Sequence, residues 1–260
     1  MSVIAQPAAA RPVGRAARTG SIHLQLACAC AAVGVLGFAP SFWFPLLTGR
    51  VTLAPILYLH AFVFYGWLAL FVAQAWLVAA GRTTRHRELG VLGVSVATAM
   101  CFVGVAAAVD SLRQTAAAGF TEQALGFSVV PLTGIAFFAV LFALAVINVR
   151  RPDVHRRLML VATVSLLNAA VGRLFVLAVG GPPPAAGVEP PPVLFTVPAG
   201  LLADLLLVPA LWHDWKTLGR VHPTYWTAGA ALVASQLLRV PLATSPAWHA
   251  VAGWVSAVLP

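Results

Sequence analysis

The sequence predicts an all-α, polytopic membrane helix bundle of about seven transmembrane helices, with its N-terminus cytoplasmic and three hairpin-like repeats after a first helix. Three observations predict it. The 260 residues are 60% hydrophobic and 9% charged, with a mean hydropathy of +0.91, whereas an ordinary soluble domain carries about 25% charged residues. The apolar residues fall into seven runs, each close to the ~20 residues that cross about 30 Å of hydrocarbon as helix. The cations collect between alternate runs instead of spreading over a surface, as they do where loops set membrane orientation.

Residues 1–20 read as a cytoplasmic N-terminal tail carrying Arg11, Arg15 and Arg18. The run from Ile22 through Leu47 is a retained first span rather than a secretory signal. It is too long for a signal core, holds Pro40 and Pro45 near its far end, and lacks a small-x-small cleavage site after a short apolar stretch. Further spans are predicted over residues 54–80, 89–110, 127–149, 158–179, 193–213 and 224–240, the last being the weakest. Uninterrupted segments such as Leu201-Leu202-Ala203-Asp204-Leu205-Leu206-Leu207 exclude the alternating ten-residue strands of a closed barrel. The membrane domain thus covers 21–242. Two stretches, Gly180-Gly181-Pro182-Pro183-Pro184 and Pro190-Pro191-Pro192, predict a stiff polyproline connector between two spans. Residues 243–260 read as an interfacial tail, with Trp248 and Trp254 at headgroup depth.

Orientation follows from sixteen Lys and Arg. One side receives the three N-terminal arginines, Arg82, Arg85, Arg87, Arg150, Arg151, Arg156, Arg157, Lys216 and Arg220. The other receives Arg50, Arg113 and Arg239, and Arg173 lies within a span. The bias places the N-terminus inside and, with seven crossings, the C-terminus outside. The expected location is a plasma (inner) membrane. The net charge of +9 is accounted for in this way, so no nucleic acid is expected as a partner. The basic loops instead predict contact with the anionic headgroups of the lipid bilayer.

Cys28, Cys30 and Cys101 lie in apolar runs with no CxxC spacing and read as small packing residues, neither disulfide framework nor metal site. There is no P-loop, Rossmann glycine pattern, HExxH or apolar carboxylate pair. No reaction class is therefore indicated, and catalytic residues are not assigned.

Three loops on the basic side carry a histidine just before a span: His86 in Arg85-His86-Arg87-Glu88-Leu89, His155 in Val154-His155-Arg156-Arg157-Leu158, and His222 in Val221-His222-Pro223. Their separations of 69 and 67 residues match one helical hairpin with its loops. The first two share His-Arg-x-Leu; the third has diverged. Such loops bind lipid phosphate at a helix N-terminus, or hold a shared ligand or haem if they converge. His23 and His213 are expected at the same level.

Inside the spans polar residues are few, and each needs a partner or a purpose. His60, Phe64, Trp67, Phe71 and Gln74 form one helical stripe, fit for helix packing or for a flat cofactor such as a quinone. Arg173 and Asp204 fall at depths that permit a buried ion pair if their helices are neighbours, with Asn168 nearby. That pair either fixes helix register or forms a solute or proton path with His60.

Several of these residues, Leu59-His60-Ala61 through Trp67, Gln74 and Gly81-Arg82, His86-Arg87-Glu88-Leu89-Gly90, His155-Arg156-Arg157-Leu158-Met159-Leu160 with Arg173, and Ala247-Trp248-His249, together resemble a group of uncharacterised small bacterial multi-spanning proteins. They also look distantly like membrane proteins of terminal-oxidase maturation. That second likeness implies a redox-associated role.

Three functions are consistent with these readings. The first is a non-catalytic accessory, assembly or ligand-binding membrane protein, possible member of a larger membrane complex. The second is a haem-b- or quinone-binding redox protein. The third is a small-solute or proton transporter. Haem bound between two histidines requires matched depth, and His60 has no evident intramembrane histidine partner.

Overall fold

The structure, a computed structural model, describes residues 14–49, 53–181 and 186–258, with side chains from Ile22 onward. Arg11, Arg50 and Pro182-Pro183-Pro184, assigned above to the tail and connectors, lie outside the described residues. Every regular element among the described residues is helical. In chain order they are α1 (Gly14–Phe38), α2 (Phe44–Leu47), α3 (Pro55–Ala79), α4 (Thr83–Ala117), α5 (Thr121–Phe127), α6 (Val129–Ile147), α7 (Pro152–Ser165), α8 (Asn168–Ala178), α9 (Thr196–Asp204), α10 (Val208–Leu218), α11 (Pro223–Ala243) and α12 (Pro246–Val258).

Several of these are pieces of one rod, and the breaks have identifiable causes. A π-helical segment, Ala39–Trp43, joins α1 to α2. It contains Pro40 and is followed by Pro45, each of which withholds an amide hydrogen and crowds the carbonyl four residues back. Between α9 and α10 a 3-10 turn, Leu205–Leu207, precedes Pro209 for the same reason. No proline lies at the α7 to α8 joint. There Thr163 donates to the Met159 carbonyl and Ser165 to the Ala162 carbonyl, and such back-bonding bends helices.

Six stretches are long and apolar enough to cross a membrane: Ile22–Leu47, Pro55–Ala79, Thr83–Ala117, Thr121–Ile147, Pro152–Ala178 and Val193–Leu218. Phe62 is 77% and Phe102 74% exposed on the outside of the bundle, an arrangement costly in water and natural against acyl chains. These features make the chain an integral membrane protein. The seventh predicted span, α11, has 21 residues, about 31 Å of helix, but is less apolar. Its buried residues Tyr225, Ala228, Leu232, Gln236, Arg239 and Ala243 form one stripe. That stripe runs from the start of α7, where Arg157 faces Tyr225, to α5, where Gly126 meets Ala243. It therefore extends alongside the whole of α6.

The bundle has two distinct ends. A basic end gathers the starts of α4, α7 and α11 with the finishes of α6 and α10. At the opposite end α12, short of a full crossing at 13 residues, packs on α5 and the finish of α4. There Trp248 donates to the Leu125 carbonyl and the Ser128 hydroxyl, Arg113 donates to the Ser256 carbonyl, and His249 bridges the Ala243 carbonyl and Glu122. Trp248 is thus turned into the protein, unlike the expected headgroup anchor, while Trp254 is 65% exposed.

Small residues let the helices approach. A Cβ on Gly37 would meet the Ala170 carbonyl of α8 at 2.5 Å, so α1 and α8 touch backbone to backbone. The core between α3, α4, α6 and α7 centres on Trp67, Met100, Phe138 and Leu160, all at most 2% exposed.

Candidate functional site

Three polar clusters lie at different levels of the bundle. The basic-end cluster starts from α4 and α7, in which His86 and His155 are each the fourth residue. Their rings meet edge to face at 6.4 Å between centroids. His155 Nδ1 donates to the Ala145 carbonyl at 2.8 Å, which assigns its free lone pair to Nε2. His86 Nδ1 is shielded and has no partner. Gln74, at the base of the α3 stripe, lies against Gly90 on the next turn of α4.

His222 takes a different role. Its Nδ1 accepts from the Thr224 amide at 3.2 Å as the N-cap of α11, leaving Nε2 to donate to Asp153 at 3.1 Å. Both ring nitrogens are therefore engaged, and Pro223, which supplies no amide hydrogen at the first helical position, explains the cap. The first two histidine loops converge, and the third joins them through the first turn of α7.

Behind these loops lies a buried ion pair that the sequence did not single out. Arg157 Nε and Nη2 donate to Asp214 Oδ2 and Oδ1 at 2.8 and 2.6 Å, with the two residues 1% and 4% exposed. Arg157 also donates to the Asp153 carbonyl and faces the Tyr225 ring at 5.6 Å. Arg156 and His23 lie within electrostatic range of the pair, and His213 within range of His23. The signal available was Asp214 itself, the single acid at the basic end of the sixth span.

The middle cluster corrects the expected Arg173 to Asp204 ion pair. Asp204 Oδ2 instead accepts from Gln236 Nε2 of α11 at 3.1 Å. Arg239, three positions beyond Gln236 on the same buried stripe, donates from Nε to Thr133 of α6 at 2.9 Å. The break after α9 and the approach of Gly200 to Gln236 turn Asp204 toward α11 and away from α8. Asn168 is buried at the α7 to α8 joint with its amide nitrogen unpartnered.

The third cluster lies at the opposite end, where α1, α3 and α8 meet. Arg173 projects over the Phe38 ring at 4.3 Å and donates to the Ala169 carbonyl at 3.1 Å. Tyr65 packs on Trp43 at 4.9 Å, on Phe42 at 6.2 Å and on Phe38 at 6.4 Å. His60 stacks on Phe64 at 4.0 Å. The lower part of the α3 stripe is closed by protein: Trp67 is 2% exposed and meets Phe71, Phe138 and Phe142. That leaves no flat face of Trp67 for a quinone.

Among the described residues no group of three or more His, Cys, Asp or Glu is placed to hold a metal ion. Compared with known proteins, the chain matches no family model, no curated protein and no solved structure.

Proposed function

We propose that the chain is a non-catalytic integral membrane protein that serves as an accessory, assembly or ligand-binding subunit. It crosses the bacterial inner membrane seven times with its N-terminus cytoplasmic and its basic end on anionic lipid. The observation that carries this reading is that its buried charges, Arg173 apart, join helices to one another. Arg157 engages Asp214, Asp204 engages Gln236, and Arg239 engages Thr133. Polar groups used in this way fix helix register, whereas a transport path needs titratable groups facing a shared route. The engagement of Asp204 by Gln236, away from Arg173, weighs against the transporter. The seventh crossing is supported by the alignment of α11 with the full length of α6. The likeness of the His-Arg loops to oxidase-maturation proteins makes a redox-associated complex the preferred partner.

The test is purification at native expression level in mild detergent. A stoichiometric membrane complex is expected, and a monodisperse, unaccompanied chain overturns the accessory role.

One observation favours haem b as a second reading. His86 and His155 approach from different helices, and the carbonyl of Ala145 holds His155 in the tautomer that leaves Nε2 free. These two side chains would be the ligands, and bound haem would supply one-electron transfer. An oxidised and dithionite-reduced spectrum decides it: a Soret band lost in His155→Ala supports haem, and a featureless spectrum from haem-replete cells eliminates it.

A further inference from the structure

Arg173 is a cation without an acid. All seven Asp and Glu side chains lie within the described residues, and none forms a salt bridge with it; those that do engage Arg157, His222 and His249. Arginine stays protonated even when desolvated, and an uncompensated charge at membrane depth costs about 2.5–3.5 kcal/mol on insertion scales. The ordinary escape is to snorkel toward the nearer interface. Arg173 does the reverse. It lies five residues before the end of α8, about 8 Å inside it. Its guanidinium turns back along the helix to the Ala169 carbonyl, toward the middle of the bundle.

The surroundings consist of groups able to donate. Arg173 Nε and His60 Nδ1 are shielded from solvent and have no hydrogen-bond partner, and the Trp43 indole, its ring 4.9 Å from that of Tyr65, is turned to the Tyr65 hydroxyl. Ser41 and Trp43 belong to the π-helical segment, a helix distortion frequent at functional sites. Arg173 lies within electrostatic range of both His60 and Tyr65. Leu59 and Leu174, next in sequence to His60 and Arg173, are exposed, so the acyl-chain side of the bundle lies beside the cluster.

We infer that the ends of α1, α3 and α8 form a binding site for the oxyanion head, carboxylate or phosphate, of an amphiphile carried in the bilayer. Arg173 is its cation and His60 its supporting donor, with Tyr65 and Trp43 forming the neighbouring wall. An oxyanion neutralises the orphan charge and accepts the unpartnered hydrogens at once. A neutral carbonyl head meets the second need and leaves the first. The inference rests on the membrane-spanning reading and is independent of the accessory role.

The test uses the full chain in mild detergent, delipidated and titrated separately with palmitate, with dioleoyl phosphatidic acid and with a short-chain ubiquinone, binding being followed by native mass spectrometry and by melting temperature. One equivalent of palmitate or of phosphatidic acid is expected to bind; which of the two binds identifies the head. R173Q should weaken binding about tenfold or more, the loss of one charge-assisted pair. The ligand-free R173Q protein should melt no lower than wild type, because an unpaired cation has been removed; a purely structural arginine would lower it. If R173Q fails to fold, H60F, which keeps a ring to stack on Phe64 and removes the imidazole donor, should still weaken binding severalfold. Unchanged affinity in both variants overturns the inference. So does ubiquinone binding with the same dependence on Arg173, which would make the site a reader of neutral carbonyls.

Discussion

Arg157 and Asp214 lie 57 residues apart in sequence, yet two guanidinium nitrogens reach the two carboxylate oxygens at 2.8 and 2.6 Å. The pair joins α7 to α10 where little water reaches it, and Asp214 Oδ2 also takes the His222 amide at 3.4 Å. Breaking such a pair by removing one member leaves the other charge buried alone, at a cost of about 3–5 kcal/mol. Arg157→Met and Asp214→Leu should each lower the melting temperature in detergent strongly. The double variant should recover much of the loss, and strictly additive losses would show that the two residues act independently.

Trp67→Ala should destabilise through lost packing against Phe71, Phe138 and Phe142. Transfer of a helix face from lipid to protein brings little hydrophobic gain, so the cost falls at about 2–3 kcal/mol, below the 3–5 typical of soluble cores. Trp67→Phe should cost less than half as much. Denaturant titration of the purified chain measures both.

Two glycines make a matched contrast. Gly37→Val forces a side chain into the Ala170 backbone, with a Cβ already at 2.5 Å from the carbonyl oxygen, and should separate α1 from α8. Gly66, on α3, has no heavy atom within 4 Å of the corresponding position. Gly66→Ala should therefore be neutral or stabilise by up to about 1 kcal/mol through helix propensity. Thermal unfolding ranks the pair, and equal losses would contradict the packing described.

Topology can be read by labelling single cysteines in a cysteine-free background in intact cells. Positions 85, 150 and 220 should resist a membrane-impermeant maleimide, whereas position 188 and position 254 should react. Protection at 254 with reaction at 220 would invert the orientation; protection at both would put an even number of crossings between the N-terminus and 254.

The long apolar runs placed the spans well because continuous hydrophobicity depends on the lipid alone and needs no knowledge of neighbours. The ends of α4 were missed: apolarity predicted 89–110, but the helix is Thr83–Ala117. Its terminal turns are polar, and helical hydrogen bonding continues beyond the hydrocarbon. Pairings were harder to read than positions. Arg157 was legible as a loop cation because its nearest sequence neighbours are charged, and only the inward turn of α7 buries it. Asp204 was correctly placed inside a span, but its partner depends on the Pro209 break and on a helix later in the chain. His86 and His155 each fall at the fourth residue of a helix, as their shared His-Arg-x-Leu spacing suggested. His222 departs from them because Pro223 moves the helix start and converts a ring nitrogen into a cap.

The modest hydropathy of α11 bears on how the chain is assembled. Its glutamine and arginine are poor substrates for partition into bare lipid, but both of their partners, Asp204 and Thr133, are synthesised earlier. If α6 and α9 have packed when the ribosome delivers Pro223–Ala243, that helix meets a groove whose acceptors already wait. Entry of this helix then depends on prior assembly, so that a lesion in α6 or α9 would surface as a topology defect at the far end of the polypeptide.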